Sequence, residues 1–208
     1  MGSQERRARH KEELRGRILD AARELFATEG YEKVSMRRIA EKIEYSPKTI
    51  YLYFQDKGEI LYYLCEEFLA RLMERVEGLG DGSDDPEALI RAGLRAYVEH
   101  GLENPNEYRV AYLSDARDYP YRSLAEMPAD SISVALQKRM SAILRACMER
   151  GVFRTMDVEM ASHVLWVGVH GLTCALITDP DYRWVDRAKL IDCTIDTLIR
   201  GFQCDSSS

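Results

Sequence analysis

Residues 34–54 constrain the fold of this chain more strongly than any other stretch, because their pattern predicts two short helices joined by a tight turn. Ser35 suits the position before the first helix, since its hydroxyl can accept a hydrogen bond from an otherwise unpaired backbone N–H. Within that helix, Ile39, Ala40 and Ile43 are three and four residues apart and form an apolar stripe. The small Ala40 side chain permits close approach, so we predict that the two helices pack directly against each other.

The second helix is predicted to begin after Ser46, with Pro47 at the first helical position, where a missing N–H costs nothing. Ile50 and Phe54 lie four residues apart and are expected to point inward. The remaining positions point outward or sideways: Lys48, Thr49, Tyr51, Leu52 and Tyr53. A short exposed helix that carries Lys, Thr and Tyr suits the major groove of DNA, because these side chains can contact base edges there.

The sequence on both sides of this pair predicts two further helices. The amino-terminal one ends at Gly30 as a cap, and its apolar face is formed by Ile18, Ala21, Ala22, Leu25 and Phe26. On the other side, Asp56 followed three residues later by Glu59 predicts a helix start that resembles a capping box. Lys57 falls in the first turn of that helix, where it opposes the helix dipole, so a bound phosphate would explain its position.

The segments ILDAARELFATEGYEKVSMRRIAEKI and SPKTIYLYFQDKGEIL, within residues 15–62, resemble the TetR family of bacterial transcription regulators. The resemblance is dense here and loose over the rest of the chain. It implies an amino-terminal three-helix unit that binds DNA, followed by a helical domain that binds a ligand and dimerises. One departure is Glu44-Tyr45 in the turn, where the family usually has Gly followed by a small apolar residue. A glutamate in a left-handed turn conformation costs on the order of 1 kcal/mol.

The rest of the chain predicts an all-α protein of about nine helices, because no alternating run is long enough to form a strand. Asp85 and Pro86 mark one helix start, and Asn104-Pro105 marks its end. The helices expected beyond the first three lie at about 56–79, 86–103, 106–115, 130–150, 157–178 and 185–203. The expected domains are a basic flexible arm, a helix-turn-helix domain, a helical ligand-binding and dimerisation domain, and a tail, at 1–14, 15–60, 61–203 and 204–208.

Charge is distributed unevenly along the chain. The net charge is −6, yet residues 1–60 hold 13 Lys and Arg against 11 Asp and Glu, so the remainder carries −8. The basic excess therefore coincides with the predicted DNA-binding unit. The amino-terminal arm is expected to be disordered or partly helical, and it is either a solvated tail or a segment that follows DNA phosphates or enters a minor groove. Its basic residues are Arg6, Arg7, Arg9, His10 and Lys11.

Cysteine usage and the lack of a leader pattern favour a cytoplasmic protein. The five cysteines are scattered and form no CxxC pair, which is typical of reduced, mostly buried thiols; redox sensing is the alternative. The first twenty residues are highly charged, unlike a signal peptide. No apolar run of about 18 uncharged residues occurs, although residues 164–178 come close.

The last two predicted helices supply a dimer interface. Residues 157–178 are apolar nearly all round, which is typical of a helix buried on two sides, one of which requires a partner. Two such helices from each of two subunits would form a four-helix bundle around a two-fold axis, and the TetR resemblance implies the same arrangement. The predicted interface residues are Ala161, Val164, Leu165, Gly168, Gly171, Leu172, Ala175, Ile191, Ile195, Leu198 and Phe202.

Residues 166–171 carry a second resemblance, to a Trp…His-Gly signature in the ligand-binding domain of one TetR subgroup. His163, His170 and Cys174 share one helix face at spacings of seven and four, which raises metal binding as a hypothesis. The alternative is that these side chains pack against backbone or core partners. Since no carboxylate joins them in this helix, we predict neither a metal nor a cofactor.

The predicted DNA contacts divide by chemistry. Arg37 is expected to read a guanine, because its fork matches O6 and N7, and Leu52 is expected to touch a thymine methyl. The other base-edge contacts expected are Lys48, Thr49 and Tyr51, and the phosphate contacts expected are Ser35, Met36 through its backbone, Tyr53 and Lys57. For Tyr51 and Tyr53 the alternative is packing in the core of the small unit.

The larger domain is expected to hold a pocket for a small, mainly apolar effector, because its candidate walls combine aromatic rings with a few polar atoms. These candidates are Cys65, Phe68, Leu69, Tyr97, Tyr108, Tyr112, Met140, Ile143, Trp166 and His170. For any one of them the alternative is an ordinary place in the core.

Together these patterns predict a homodimeric, ligand-responsive repressor, released from its operator when an effector favours another spacing of the DNA-binding units. The expected partners are a double-stranded DNA operator, a small-molecule effector and a second copy of the chain, with no membrane. An enzyme is disfavoured, because no GxSxG, HExxH or glycine-rich phosphate loop occurs. The remaining alternative is a DNA-binding or adaptor protein with a filled core and no ligand.

Overall fold

The structure, a computed structural model, describes residues 3–80, 85–114 and 119–204. Within these residues the chain forms nine α-helices, and its extended pairing is limited to one antiparallel bridge between Phe153 and Gln203. The helices are α1 Ser3–Glu29, α2 Met36–Lys42, α3 Pro47–Ile50, α4 Lys57–Glu77, α5 Pro86–Glu103, α6 Pro105–Tyr108, α7 Ile132–Glu149, α8 Val158–Thr178 and α9 Arg187–Arg200. The predicted all-α fold is confirmed, whereas most of the predicted tail lies outside the described residues.

Two compact units divide the chain, and their boundary differs from the one predicted at residue 60. The first unit comprises Met1–Phe68 and Asn106–Met127, and the second comprises Leu69–Pro105 and Pro128–Ser208. The start of α4 and a later segment therefore belong with the predicted DNA-binding helices rather than with the larger domain.

Apolar side chains in the segment after α6 explain this division. Val110 is buried in the core of the first unit, and Ala111 and Tyr119 pack against that core. Cys65 Sγ also lies 3.9 Å from the Ala111 carbonyl oxygen. The periodicity of the sequence did not reveal this return, because the segment continues α6 as a π-type turn over Arg109–Leu113 rather than as a regular helix.

The core of the first unit forms where the predicted apolar faces of α1 to α4 meet. Side chains with no solvent exposure are Ile18, Ala22, Ile39, Ala40, Ile50, Ile60 and Leu61. Full burial of one Ile or Leu side chain contributes about 1.5–3 kcal/mol. Phe26 and Tyr31 add an edge-to-face contact with ring centroids 5.0 Å apart. The stripes predicted on α1, α2 and α3 are thus confirmed, and α2 packs against both α1 and α3.

Helix α1 begins at Ser3, well before the predicted start near residue 15. Residues 3–14, predicted as part of a flexible arm, therefore continue α1 as helix. Leu14, at 4% exposure, is the first side chain buried in the core, whereas residues 5–13 are all exposed. The first turns of α1 thus form a charged, solvated helix ahead of the core.

Helix α8 lies at the centre of the second unit, in contact with α5, α7 and α9. Its buried side includes Ala161, Leu165 and Val169, each at most 1% exposed. By length and composition α8 is also the one helix in the described ranges that is apolar enough to cross a membrane. Packing against three neighbouring helices accounts for the apolar character of its buried side.

Candidate nucleic-acid interface

Both helices of the predicted DNA-binding pair begin with the serine cap that the sequence predicts. The Ser35 hydroxyl oxygen accepts a hydrogen bond from the Arg38 N–H at 3.1 Å, and the Ser46 hydroxyl oxygen accepts one from the Thr49 N–H at 3.2 Å. The hydroxyl oxygens of Ser46 and Thr49 lie 2.9 Å apart and form a further hydrogen bond. Because a serine cap contributes about 1 kcal/mol, these bonds hold the starts of α2 and α3 in place.

The turn between α2 and α3 closes with two backbone hydrogen bonds around a left-handed residue. Glu44 N–H donates to the Glu41 carbonyl at 3.2 Å, and Tyr45 N–H donates to the Ala40 carbonyl at 3.0 Å. Glu44 has a φ of 61°, which makes it the one non-glycine residue of positive φ in the described part of the chain. This pairing is the Schellman motif, in which glycine is the usual residue at the position of Glu44. The glutamate therefore carries backbone strain.

Glu44→Gly is expected to stabilise the protein by up to about 1 kcal/mol, because it removes the Cβ strain of a left-handed residue while returning some chain entropy to the unfolded state. Urea unfolding measures this change. Glu44→Ala is the control, since it removes the carboxylate yet keeps the strained Cβ. Equal stability of the glycine and alanine variants would contradict backbone strain as the cause.

The outer side of α3 is open to solvent, and its inner side is buried. Ile50 and Phe54 face inward as predicted, at 0% and 1% exposure, and a Phe54 N–H bond to the Ile50 carbonyl at 3.1 Å continues the helical turn beyond α3. Lys48 is exposed, and Tyr51 and Leu52 are 56% and 73% exposed. This side is therefore accessible to a DNA groove.

Three other predicted DNA contacts are less exposed. Thr49 is half-buried, and Tyr53 packs partly against the core of the first unit. For Tyr53 the structure therefore shows the packing alternative, whereas Tyr51 is exposed. The Met36 side chain is buried, at 7% exposure, so the predicted phosphate contact of this residue would use its backbone.

The neighbouring arginines of α2 differ in their surroundings. Arg37 has a side chain 80% exposed and pairs within α2 with Glu41, Nε to Oε1 at 3.0 Å. Arg38 turns toward α1, where its Nη2 donates to Glu29 Oε1 at 2.8 Å, and this hydrogen bond lowers the pKa of Glu29. Arg37 is therefore available to a groove, and Arg38 links α2 to α1.

Lys57 has a partner within the chain. Its Nζ donates to the Tyr31 carbonyl oxygen at 2.9 Å and lies 4.0 Å from the centroid of the Tyr31 ring. The start of α4 is capped by Asp56, whose carboxylate accepts from the Glu59 N–H at 2.8 Å, while the Glu59 carboxylate accepts from the Gln55 N–H at 2.6 Å. The Tyr31 contact accounts for a lysine in this first turn, so the phosphate contact of Lys57 stays a prediction.

Lys57→Ala is expected to lower the slope of log affinity against log salt by about one unit, because one ammonium–phosphate contact is lost. Fluorescence anisotropy of a labelled duplex over a salt series measures the slope. Lys42→Ala is a matched control, since the Lys42 ammonium pairs with Glu24 of α1 at 2.7 Å. An unchanged slope in Lys57→Ala would remove Lys57 from the phosphate contacts.

The residues predicted to line one effector pocket fall into two groups, one in each unit. In the first unit, the rings of Tyr108 and Tyr112 have centroids 4.9 Å apart, and each lies 6.2 Å from the centroid of Phe68. Burial raises the pKa of the Cys65 thiol to about 12, so this thiol is neutral at physiological pH. These four side chains form an apolar, aromatic group.

A further aromatic group in the first unit was not predicted as functional. The Tyr62 ring centroid lies 6.2 Å from that of Tyr119 and 5.1 Å from that of Tyr121. Burial raises the pKa of Tyr119 above its ordinary value. The available signal was the pair of tyrosines around Pro120 in an irregular segment, but no periodicity connects that segment with α4.

In the second unit, Tyr97, Trp166 and His170 lie together. The Tyr97 hydroxyl oxygen is 3.2 Å from His170 Nδ1, and the Trp166 ring stacks on the imidazole with centroids 4.7 Å apart. The other predicted lining residues of this unit are buried or half-buried: Leu69, Met140 and Ile143. Within the described ranges, no group of three or more His, Cys, Asp or Glu side chains is arranged to hold a metal ion.

The apolar stripe predicted to meet a partner faces the core of the second unit instead. Five of its residues are at most 6% exposed: Ala161, Leu165, Ile191, Ile195 and Phe202. Gly168 packs within the chain, because a Cβ there would lie 2.6 Å from Leu198 Cδ1. Leu172 and Ala175 are half-buried. Periodicity alone does not tell which of two apolar faces meets the chain's own helices. The sequence therefore did not show that this stripe is covered within the protomer.

A different row of α8 is exposed. Met160, Val164 and Val167 are 64%, 43% and 58% exposed, and Gly171 follows them in the same row. Nothing lies within 4 Å of a Cβ built at Gly171. Spacings of four, three and four residues place the row on one helix face. Val164 and Gly171 are therefore the predicted interface residues that a partner can reach.

Two family profiles match the chain. The profile described as "Bacterial regulatory proteins, tetR family" matches residues 18–64, which include α2 and α3, the second half of α1 and the start of α4. The profile described as "Tetracyclin repressor-like, C-terminal domain" matches residues 90–198, more than half of the chain. The two matches together cover parts of both units.

Known proteins resemble the chain over different lengths. YuxN of Bacillus subtilis, an uncharacterized HTH-type transcriptional regulator, is 23% identical over 194 residues, which are 93% of this chain and 64% of that protein. An HTH-type transcriptional regulator of Staphylococcus aureus is 27% identical over 92 residues, 44% of this chain and 50% of that protein. The chain therefore spans between 50% and 64% of the length of these two relatives.

Solved structures share the fold. The fatty acid degradation regulator FadR from Bacillus halodurans is similar with a TM-score of 0.69 and 20% sequence identity. The similarity covers 89% of this chain and 94% of that chain. At this identity the likeness shows a common fold.

Proposed function

Because this chain belongs to the tetR family of bacterial regulatory proteins, a family of helix-turn-helix transcriptional regulators rather than enzymes, we propose that it is a homodimeric repressor of transcription. It binds a near-palindromic DNA operator in the cytoplasm, and a small, mainly apolar effector releases it. The repressor role, the dimer and the effector are the parts of this proposal that go beyond family membership.

The exposed side of α2 and α3 is the observation that carries the proposal. Arg37, Lys48 and Leu52 are open to solvent, while Ile50 and Phe54 anchor the opposite side in the core. A capped, rigid helix pair with cationic and apolar groups on one side has the chemistry that base-edge recognition requires. The excess of basic residues in the first sixty positions adds attraction for phosphates.

Helix α1 extends this basic surface toward the turn of the pair. Arg17 donates to the Ile43 carbonyl at 3.2 Å, and its guanidinium lies 5.3 Å from the centroid of the Tyr45 ring. Arg6 and His10 share the face of Arg17 by helical spacing. The first turns of α1 are therefore proposed to follow the phosphates beside the turn, as one alternative for the amino-terminal arm predicts.

The exposed row on α8 supports the dimer. Met160, Val164, Val167 and Gly171 offer an exposed apolar strip on a helix that also contacts α5, α7 and α9. A second copy related by a two-fold axis would bury this strip and remove its apolar area from water. The two copies of α3 would then enter successive major grooves, roughly 34–36 Å apart.

The aromatic groups support a mainly apolar effector with a polar atom. The pairing of the Tyr97 hydroxyl with the His170 imidazole in the second unit is one such combination of rings and hydrogen-bonding atoms. Helix α4 contributes residues to both units, which makes it the proposed lever between effector and DNA. A coupling free energy of about 1–3 kcal/mol is sufficient for release.

Native mass spectrometry of the protein purified from its host tests the dimer and the effector together. We expect a dimer mass with a retained small molecule that denaturing conditions release. A monomer mass would contradict the homodimer. A dimer with no added mass, combined with no change in DNA affinity after addition of a host-cell metabolite extract, would contradict the effector.

A further inference from the structure

One arginine of α1 contacts both neighbours of the strained residue in the turn between α2 and α3. Arg17 Nη2 donates to the Ile43 carbonyl oxygen at 3.2 Å. The guanidinium carbon of Arg17 lies 5.3 Å from the centroid of the Tyr45 ring, within the range of a cation–π contact. Between these two contacts lies Glu44, which has a φ of 61°. Arg17 therefore connects α1 with the two residues on either side of the strain.

The hydrogen bond from Arg17 holds the peptide group that determines the φ of Glu44. The Ile43 carbonyl and the Glu44 N–H belong to one planar peptide group, so they rotate together. The N–H of this group donates to the Glu41 carbonyl at 3.2 Å, and its oxygen accepts from Arg17. Because both polar atoms of the group are paired, its rotation is opposed from two sides, and the left-handed conformation of Glu44 is maintained.

The contribution of Arg17 to this turn comes from outside the helix pair. The peptide group that follows Glu44 is held by the pair itself, since the Tyr45 N–H donates to the Ala40 carbonyl at 3.0 Å. By contrast, the Ile43 carbonyl lies at the end of α2, where the last carbonyls of a helix have no intrahelical partner. Arg17 supplies that partner with a charged donor, which makes a stronger hydrogen bond than a neutral one.

The conformation of this turn decides where α3 begins and how it is directed. Ser46 caps α3 two residues after Glu44, and its hydroxyl oxygen accepts from the Thr49 N–H at 3.2 Å. Lys48 is exposed on the first turn of the same helix. Since a single residue separates Glu44 from the cap, a change in the φ of Glu44 displaces Ser46 and Lys48 together.

We propose that Arg17 is a positioning residue for DNA recognition, which holds the left-handed turn at Glu44 and so sets the direction in which α3 presents Lys48. This inference rests on the proposed function, because it concerns how the helix pair reads DNA. It gives Arg17 a role different from the phosphate contact that its charge alone suggests. The hydrogen bond from Arg17 offsets the strain that a glutamate introduces into the turn.

A double-substitution cycle of Arg17→Ala and Glu44→Gly separates the two roles. Fluorescence anisotropy measures affinity for a duplex that the unaltered protein enriches from random oligonucleotides. We expect Arg17→Ala alone to lower affinity about three- to tenfold, but by less than about twofold when Glu44→Gly is present, because glycine adopts the left-handed conformation without support. The slope of log affinity against log salt is expected to stay unchanged, whereas loss of a phosphate contact lowers it by about one unit.

Two further variants make the cycle specific. Glu44→Gln removes the carboxylate and keeps the strained backbone, so the loss caused by Arg17→Ala should keep its full size in this background. A loss that shrinks with Glu44→Gln as well would show that the two side chains attract each other by charge, and would reject backbone strain as the cause. Arg23→Ala is the matched control on α1, since Arg23 pairs with Asp20 and Glu67 rather than with the turn. Its effect should be the same with and without Glu44→Gly.

An equal loss of affinity from Arg17→Ala with and without Glu44→Gly would overturn the proposal, and a lowered salt slope would assign Arg17 to a phosphate instead. The same cycle measured by urea unfolding needs no DNA. There Arg17→Ala alone should lower the ratio of folded to unfolded protein about three- to tenfold, and by less than about twofold with Glu44→Gly. If the unaltered protein enriches no duplex, the proposed function fails, and equal losses in urea would then reject Arg17 as the residue that holds the turn.

Discussion

Lys48→Ala is expected to weaken binding to the operator by about 1–3 kcal/mol, or roughly 5- to 150-fold, and to relax the preference for one base. The structure supports this size of effect because Lys48 is exposed on α3 while Ile50 and Phe54 keep that helix anchored from the other side. The substitution therefore removes a DNA-facing group without disturbing the core. Competition binding against operators altered one base pair at a time measures both effects.

Arg37→Ala is expected to have a similar effect at another base pair, and Arg38→Ala is its matched control. Arg37 has a side chain 80% exposed, whereas Arg38 is engaged with Glu29 of α1. Loss of Arg38 should therefore lower stability slightly and leave base preference intact. Equal weakening on every sequence by Lys48→Ala and Arg37→Ala would show that both residues hold phosphates and would reject their base-reading role.

Gly168→Leu is expected to destabilise the protein by about 1–3 kcal/mol through overpacking inside the protomer. A Cβ at this position would lie 2.6 Å from Leu198 Cδ1 and 2.7 Å from Cδ2, where α8 meets α9. The sequence pattern placed Gly168 at the dimer interface, but the structure locates the clash within one chain. Chemical denaturation at two protein concentrations measures the loss, and a loss that is independent of concentration identifies an effect inside the protomer.

Two variants make this result specific. Leu198→Ala in the Gly168→Leu background should recover part of the lost stability, because it vacates the space that the new side chain needs. Gly171→Leu should leave the protomer folded, since nothing lies within 4 Å of a Cβ at Gly171, and should instead shift the assembly state measured by sedimentation. Full stability of Gly168→Leu would contradict the close α8–α9 contact.

Local sequence signals were sufficient to predict where several helices begin and end, because these features depend on adjacent residues. Ser35, Ser46 and Asp85 cap α2, α3 and α5 as predicted, and Gly30 follows the end of α1 with a φ of 86°. The left-handed conformation of Glu44 was expected from the family resemblance, because glutamate stands where that turn usually carries glycine. The caps depend on a few neighbouring positions, so a single chain shows them.

Contacts between distant residues account for what the sequence did not show. Lys57 donates to the carbonyl oxygen of Tyr31, which is 26 positions away. Val110 joins the core of the first unit, although α5 separates it in sequence from the other residues of that core. Likewise Leu165 faces the chain's own helices rather than a partner. Periodicity identifies an apolar stripe but not the element that covers it. The sequence alone therefore could not assign the interface and pocket residues as well as it assigned the helices.

Selection from random double-stranded oligonucleotides by the purified protein at moderate salt tests the central claim most directly, namely that α2 and α3 read DNA as one half of a symmetric pair. We expect enrichment of a near-palindrome with half-sites about 10–10.5 base pairs apart or a multiple of that spacing, and loss of that enrichment in Lys48→Ala. A folded, dimeric protein that enriches no sequence over the starting pool would contradict it.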